Sequence, residues 1–155
     1  EPLIQKEFSR IMSLKNGLKK MSKSELSDLS RINLTDTKDE IINKIKKAKT
    51  DPLPLPSNNK ELEKRPEARN LIGIYSSLSG LTQEETIKKF AEKNFSEFKD
   101  NLSQLIVDKI EPISIEIKKL LNEKSYLDKI LLDGSKKANF QASNKVKKIH
   151  EIIGF

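Results

Sequence analysis

A chain of 155 residues, 35% of them apolar, is long enough for one ordinary domain with a modest core. Its formal net charge of +7 predicts attraction to a polyanion, with nucleic acid as the leading candidate and an anionic membrane surface as the rival. The sequence has no cysteine and only one histidine, which excludes disulfides and metal sites built from thiolates or several histidines. It also has no signal-peptide pattern and no run of about 20 apolar residues, which excludes a spanning helix. We therefore expect a cytoplasmic protein without a metal site of its own.

The first thirty residues predict a strand followed by a loop. The chain opens with Glu1 in mid-pattern, so we expect a piece of a longer protein. Residues 8–14 form a short apolar run that ends near Asn16-Gly17, which is typical of a strand running into a turn. Residues 15–30 are rich in Lys and Ser and have no apolar period, which predicts a mobile loop.

The remaining pattern is helical. A capping box at Thr37 to Glu40 predicts a helix over about 38–49. The alternating prolines of residues 51–56 predict an extended linker between two substructures, because proline fixes φ and removes a donor. Pro66 and Gly80 are predicted to begin and end a helix over about 66–80, and a second capping box at Thr82 predicts one that ends at Phe90. Ser96 is predicted to cap a longer helix that reaches about residue 121 with a kink at Pro112. A short helix over 125–134, ended by Gly134, and a last helix over about 135–153 complete the pattern. We therefore predict an all-α bundle of about six helices preceded by a short strand.

The segment Lys20-Met21-Ser22-Lys23-Ser24 has the clearest chemistry in the sequence. Two ammonium groups three residues apart on a flexible loop can turn toward one pyrophosphate, and the serines can supply hydrogen bonds. Donors aimed at the place where negative charge develops lower the barrier to a reaction. The alternative is a solvated surface loop, because Lys and Ser are common in this chain.

The pentapeptide resembles the KMSKS signature of class I aminoacyl-tRNA synthetases, and the chain resembles the C-terminal half of the bacterial tryptophanyl-tRNA synthetases. In that family the signature follows an Arg-Ile-Met-Ser-Leu strand, present here as residues 10–14. The resemblance continues in order at Lys46 to Asp51, Arg65 to Leu71, Asp133-Gly134 and Gly154-Phe155. The Pro-Leu-Pro linker followed by Arg-Pro-Glu-Ala is most similar to the alphaproteobacterial branch.

The resemblance implies a fragment of an enzyme of protein biosynthesis that activates tryptophan with ATP, accompanied by Mg, and transfers it to the tRNA for tryptophan. It implies an ATP site at Ile11, Met12, Lys20, Met21, Ser22, Lys23 and Ser24. Lys20 and Lys23 would be the catalytic pair that stabilises departing pyrophosphate, and Met21 would anchor the loop. Ile11 and Met12 resemble residues that meet the adenine, although Ile11 is equally explained as a core strand residue.

The resemblance also implies which domains the chain contains and where they begin and end. Residues 1–30 would end the nucleotide-binding catalytic domain, residues 31–65 would connect, and residues 66–155 would form the helical domain that binds the tRNA anticodon. The family's His-x-Gly-His signature and tryptophan pocket are missing from the sequence, so we expect the chain alone to be inactive. The intact enzyme of this family is a homodimer, with most of its interface on the missing half.

The last predicted helix has one apolar and one basic face. The apolar face carries Ala138, Ala142, Val146, Ile149 and Ile153. The basic face carries Lys136, Lys137, Lys147 and Lys148, which would contact tRNA phosphates or would merely solvate the helix. The tyrosines at 75 and 126 and Phe140 are expected in the core rather than stacked on a base, and His150 is expected to be a packing or surface residue.

Two other functions fit parts of the pattern. Tyrosyl-tRNA synthetases share the signature loop, but the Arg-Pro-Glu-Ala and terminal Gly-Phe patterns disfavour them. A non-catalytic, lysine-rich helical module that binds RNA or a partner protein is the alternative from another class. Only the synthetase hypothesis requires an upstream nucleotide-binding half with a His-x-Gly-His signature.

Overall fold

The computed structural model describes residues 8–154, so Glu1 and Phe155 lie outside the described residues. Two short strands come first, β1 (Met12–Ser13) and β2 (Asn16–Lys20). Six α-helices follow within the described residues: α1 (Lys38–Lys46), α2 (Asn59–Glu63), α3 (Pro66–Ser79), α4 (Gln83–Phe90), α5 (Phe95–Asn122) and α6 (Lys124–Ile153). The prediction of a mainly helical chain with about six helices behind a short strand is confirmed.

Contacts divide the chain into two compact units, of which one ends at Ser114 and the other begins at Ile115. The first unit contains the hydrophobic core, in which Phe90 and Phe98 are 2% and 0% exposed. Their rings meet edge to face with centroids 4.9 Å apart, and the Tyr75 ring meets that of Phe90 in the same way. The second unit contains the end of α5 and all of α6, which has no buried residue. Within the described residues, no helix is both long and apolar enough to cross a membrane.

The N-terminal segment forms an antiparallel hairpin in which Met12 pairs with Lys20 and Ser13 with Asn16. Its turn lies at Leu14-Lys15 rather than at the predicted Asn16-Gly17. The loop prediction over 15–30 is wrong at β2 and at a 3₁₀ turn, Asp28–Ser30. The last three residues of β2 are exposed, so the strand has no alternation of apolar and polar residues that could be recognised in the sequence. It forms through backbone pairing with β1.

Gly17 allows the hairpin to lie directly on the start of α3. A Cβ atom at Gly17 would lie 2.5 Å from the carbonyl carbon of Pro66 and 2.6 Å from the backbone nitrogen of Glu67. Both distances are far below van der Waals contact, and the atoms concerned are backbone atoms of a helix. The glycine is therefore needed for the close approach, whereas the sequence suggested only backbone freedom.

Gly17→Ala should lower the free energy of unfolding of the first unit by about 1–3 kcal/mol, because the hairpin must move away from α3 to admit the methyl group. Urea-induced unfolding of the chain, followed by circular dichroism, measures this change. Gly134→Ala is the matched control, since a Cβ there meets nothing within 4 Å and alanine favours the interior of a helix. Equal destabilisation by the two substitutions would contradict the close contact.

The helix ends confirm most of the predicted caps. Thr37 and Thr82 each accept a hydrogen bond within a complete capping box, at the starts of α1 and α4. Pro66 begins α3, and Gly80 ends it in the left-handed conformation with φ of 75°. The predicted cap at Ser96 is wrong, because the side chain of Asn94 accepts the hydrogen bond from the backbone of the third residue of α5.

Two helices differ from the sequence prediction. The short helix α2 was not predicted, although Asn58 caps it by accepting a 3.0 Å hydrogen bond from the Glu61 amide. The predicted helices over 125–134 and 135–153 are one helix, α6, so Gly134 does not end a helix. One interior glycine costs a helix only about 1 kcal/mol, which the surrounding helix-forming residues offset. Helix α5 runs on past Pro112 to Asn122, and a kink at Pro112 stays a prediction.

The proline-containing segment over 51–56 forms no helix or strand, and it is packed within the first unit. The Arg65 guanidinium donates to both carboxylate oxygens of Asp51 and, at 2.6 Å, to the Pro54 carbonyl. The buried Leu55 donates its amide to the Lys93 carbonyl at 2.9 Å. These contacts fix the path of the segment between α1 and α2.

Candidate functional site

The predicted phosphate-binding loop begins where β2 ends. Lys20 is the last residue of β2, and the residues from Ser22 to Ser24 are exposed. Met21 is half-buried, packs against the core and donates its amide to the Ile11 carbonyl at 3.0 Å. The loop is thus fixed at its first residues and projects beyond them.

The projecting part of the loop is a tight turn. The Ser22 hydroxyl accepts a 3.2 Å hydrogen bond from the Ser24 amide, and the Ser22 carbonyl accepts one from the Glu25 amide. Lys20 and Lys23 are both exposed, and neither forms an ion pair with a carboxylate of residues 8–154. Two ammonium groups are therefore available to an external anion.

An ion triad with two buried members holds the segment that follows the loop. The Lys44 ammonium lies 2.6 Å from a carboxylate oxygen of Asp28 and 2.6 Å from one of Asp36. The Lys44 and Asp36 side chains are only 4% and 7% exposed, whereas that of Asp28 is 55% exposed. The Asn33 side chain donates to both aspartates, and Arg31 pairs with Asp28. The triad joins the segment that leaves the loop to helix α1.

The charges of this triad stabilise one another. Hydrogen bonds from Lys44 and then Asn33 hold the pKa of the Asp28 carboxyl below its usual value. Burial alone would lower the pKa of Lys44, but hydrogen bonds to Asp28 and Asp36 outweigh it and leave that pKa raised. The contribution of Asp28 to stability is therefore present at neutral pH and is lost as the pH falls through its lowered pKa.

The two residues predicted to meet the adenine lie on the strand opposite the loop. Ile11 and Met12 are half-buried, and Met12 is paired with Lys20 across the hairpin. Both line a cavity of about 870 Å³ between the hairpin and the start of α3, which Arg10 and Arg69 also line. The structure therefore pairs one adenine candidate, Met12, with the first catalytic candidate, Lys20, although neither Lys20 nor the loop residues after it line this cavity.

The predicted basic face lies on α6, in the second unit. All four of its lysines are exposed: Lys136, Lys137, Lys147 and Lys148. The opposite apolar face is also exposed in this unit, as Val146 and Ile149 show with exposed fractions of 48% and 49%. The apolar face of this helix is therefore not buried within the described residues.

The aromatic residues divide between the two units. Tyr75 is 6% exposed and lies in the core, as predicted. Tyr126 and Phe140 are 50% and 72% exposed on α6, so the prediction that they are core residues is wrong. His150 is exposed on the same helix, as expected of a packing or surface residue. Within residues 8–154, no group of three or more His, Asp or Glu side chains is placed to hold a metal ion.

Comparison with known proteins places these features in a family. The family model for class I tRNA synthetases (W and Y) matches residues 1–109. The tryptophan–tRNA ligase of Mesorhizobium japonicum is 48% identical over 154 residues, which are 99% of this chain and 43% of that protein. The tryptophan–tRNA ligase of Rickettsia felis is 48% identical over 155 residues, 100% of this chain and 46% of that protein. Alphaproteobacterial relatives dominate, as predicted, and the chain spans less than half of their length.

Solved structures show the same fold. The crystal structure of tryptophanyl-tRNA synthetase from Mycoplasma pneumoniae matches with a TM-score of 0.74 and 23% identity, over 97% of this chain and 45% of that one. The Campylobacter jejuni enzyme, complexed with ADP and tryptophan, matches with a TM-score of 0.73 and 24% identity, over 100% of this chain and 46% of that one. Both structures extend well beyond the part that this chain matches.

Proposed function

Because the chain belongs to the class I tRNA synthetases (W and Y), we propose that it forms the C-terminal part of a tryptophan–tRNA ligase and carries the phosphate-binding loop of that enzyme. The relatives that match the whole of this chain are tryptophan–tRNA ligases. The observation that carries the proposal is the loop that begins at Lys20, at the end of the hairpin, and presents two ammonium groups that form no ion pair within residues 8–154. A lysine-rich module without catalytic function would not need this loop to be held in place.

The proposed chemistry assigns Lys20 and Lys23 to the departing pyrophosphate. A carboxylate oxygen of tryptophan attacks the α-phosphorus of ATP. The bond from that phosphorus to the oxygen that bridges the α- and β-phosphates breaks. Pyrophosphate leaves with the electron pair of that bond, so negative charge builds on its oxygens in the transition state. Ammonium groups placed at those oxygens stabilise the transition state more than the ground state.

The partners follow from the same proposal. ATP would bind at Ile11, Met12 and the loop over 20–24 with Mg held by its phosphates, since acidic residues of this chain form no metal cluster within the described range. Tryptophan and the tRNA for tryptophan are the other substrates of a cytoplasmic homodimer. Residues 1–30 would complete the catalytic domain, residues 31–65 would connect, and residues 66–155 would bind the tRNA anticodon region.

The proposal is tested by tryptophan-dependent exchange of pyrophosphate into ATP. We expect exchange by the full-length ligase and none by the 155-residue chain alone, because the family's amino-acid pocket and His-x-Gly-His signature are not in this sequence. Exchange by the pure chain would show that it carries a complete site. No exchange by the full-length protein would favour the non-catalytic module.

The exposed basic face of α6 supports a contact with tRNA. Its four lysines lie on the side of the helix opposite Val146 and Ile149, so phosphates can approach them without displacing the apolar face. Lysine contacts to phosphates release counterions and make the affinity depend on salt. Lysines that only solvate the helix would not contribute to this dependence.

Lys147→Gln with Lys148→Gln in the full-length ligase should weaken tRNA binding and leave adenylate formation unchanged. The slope of log affinity against log salt should become shallower by roughly 0.7 to 0.9 for each lost phosphate contact. A salt titration of tRNA binding measures the slope, with Lys38→Gln and Lys60→Gln, which replace exposed lysines of the first unit, as the charge-matched control. If the α6 variant and the wild type give superimposable lines, this face does not contact tRNA.

A further inference from the structure

One buried polar side chain of α3 connects the helix to the hairpin. Asn70 is 8% exposed, and its carboxamide makes two hydrogen bonds with the backbone of Met12, which is 58 residues away in sequence. The Met12 amide donates to Oδ1 of Asn70 at 2.9 Å, and Nδ2 of Asn70 donates to the Met12 carbonyl at 2.9 Å. Both polar groups of one strand residue are thus held by one side chain.

This contact lies opposite the first lysine of the loop. Met12 pairs with Lys20 in the hairpin register, and the next hydrogen bond along the hairpin runs from the Met21 amide to the Ile11 carbonyl. The strand β1 has only two residues, and the amide and the carbonyl of Met12 both bond to the Asn70 side chain. A shift of Met12 would therefore move Lys20 and the start of the loop.

Helix α3 provides a fixed support for this contact. Its residues from Asn70 to Ser76 are all buried, and its first turn lies against the backbone of Gly17 in β2. The helix therefore touches both strands of the hairpin, β2 through packing and β1 through the Asn70 carboxamide. Only a side chain with a donor and an acceptor on one planar group makes the pair of bonds to Met12.

We propose that Asn70 is a positioning residue for pyrophosphate departure, acting through Met12 to hold Lys20 and the loop that follows it. The proposal rests on the proposed ligase function. Without the Asn70 bonds the hairpin would still form, but its distance from α3 would vary. A misplacement of about 1 Å at a reacting group can reduce a rate by about 100-fold.

The test uses Asn70→Leu, which keeps the size of the side chain and removes both hydrogen bonds, in the full-length ligase. We expect kcat for tryptophan-dependent exchange to fall roughly 10- to 100-fold, while KM for tryptophan changes less than about twofold. Ser76→Ala is the matched control, because it removes another buried hydrogen bond of α3, 2.9 Å long, to Thr86 of α4. The control should lower stability and leave kcat unchanged.

A double-mutant cycle with Lys20→Ala separates positioning from general loss of structure. If Asn70 acts through Lys20, Asn70→Leu should slow the Lys20→Ala enzyme much less than it slows the wild type, so that the two effects are not additive. Ser76→Ala should have the same small effect in both backgrounds. If Asn70→Leu does not fold, Asn70→Asp, which retains the acceptor for the Met12 amide but lacks the donor, is judged by the same criterion.

The outcomes distinguish the two proposals. Suppose first that Lys20→Ala slows exchange. If the Asn70 variant then has the rate of the wild type, or if the effects of the Asn70 and Lys20 substitutions are fully additive, the positioning role is wrong and the ligase function stands. If the wild type has no exchange, or Lys20→Ala leaves it unchanged, the proposed role of the loop fails, and the role of Asn70 fails with it. A non-additive loss confined to kcat supports both.

Discussion

Replacing Lys23 with alanine in the full-length ligase should lower the rate of tryptophanyl-adenylate formation about 100- to 1,000-fold, or about 2.7–4 kcal/mol in the barrier. The Lys23 ammonium is exposed and has no ion pair within the described residues, so it is free to meet the charge that builds on pyrophosphate. Affinity for tryptophan should change little, because the interaction is needed mainly in the transition state. Single-turnover kinetics measures the rate, and equilibrium binding measures the affinity.

Lys19→Ala is the control for that experiment. Lys19 is another exposed lysine, but it lies in β2, before the signature begins. Its removal lowers the net charge by the same amount as Lys23→Ala. An unchanged rate in Lys23→Ala, or an equal loss in both variants, would remove Lys23 from the proposed site.

Replacing Lys44 with methionine should lower the free energy of unfolding of the first unit by about 3 kcal/mol. Methionine keeps most of the volume of the side chain but leaves the carboxylate of Asp36, which is 7% exposed, buried without its cation. The triad also holds Asp28, which lies between the loop and α1, so the loss should spread to the segment behind the loop.

Urea-induced unfolding at neutral pH measures this destabilisation. Lys46→Met is the matched control, because Lys46 is an exposed lysine at the end of the same helix and surface substitutions usually change stability by less than about 0.5 kcal/mol. Equal unfolding midpoints for Lys44→Met and the wild type would show that the triad contributes nothing to stability.

Features set by neighbouring residues could be predicted from the sequence. The capping boxes at Thr37 and Thr82 each need only a hydroxyl and a carboxylate three residues later, and the end of α3 needs only Gly80. The hairpin could not be predicted in the same way, because β2 gains its order from a backbone ladder and from contact with α3. Gly17 suggested mobility in the sequence, but it is the residue that permits this contact.

The candidate site was predictable only in part for the same reason. The spacing of Lys20 and Lys23 shows in five consecutive letters of the sequence. The contacts that hold the loop join distant residues, as Asn70 with Met12 shows, and Lys44 resembles any other helix lysine in the sequence. The signal available in the sequence was an asparagine next to the apolar residues of α3. Such a position predicts burial, and buried polar groups are nearly always hydrogen-bonded.

Helix α6 shows a second limit of sequence patterns. Its period places the apolar residues on one side and the lysines on the other, and the helix does form over that range. The pattern does not say what covers the apolar side, which is exposed at Ile149 and Ile153 in the second unit. Amphipathicity therefore predicted the helix and its two faces but not their burial.

The most direct test of the proposed function is a comparison of tryptophan with tyrosine in adenylate formation by the full-length protein. The family model covers synthetases for both amino acids, whereas the relatives that match the whole of this chain are tryptophan–tRNA ligases. We expect tryptophan to support rapid formation of the adenylate and tyrosine to support none above background. Adenylate formed with tyrosine in preference to tryptophan, or with neither, would contradict the proposed function.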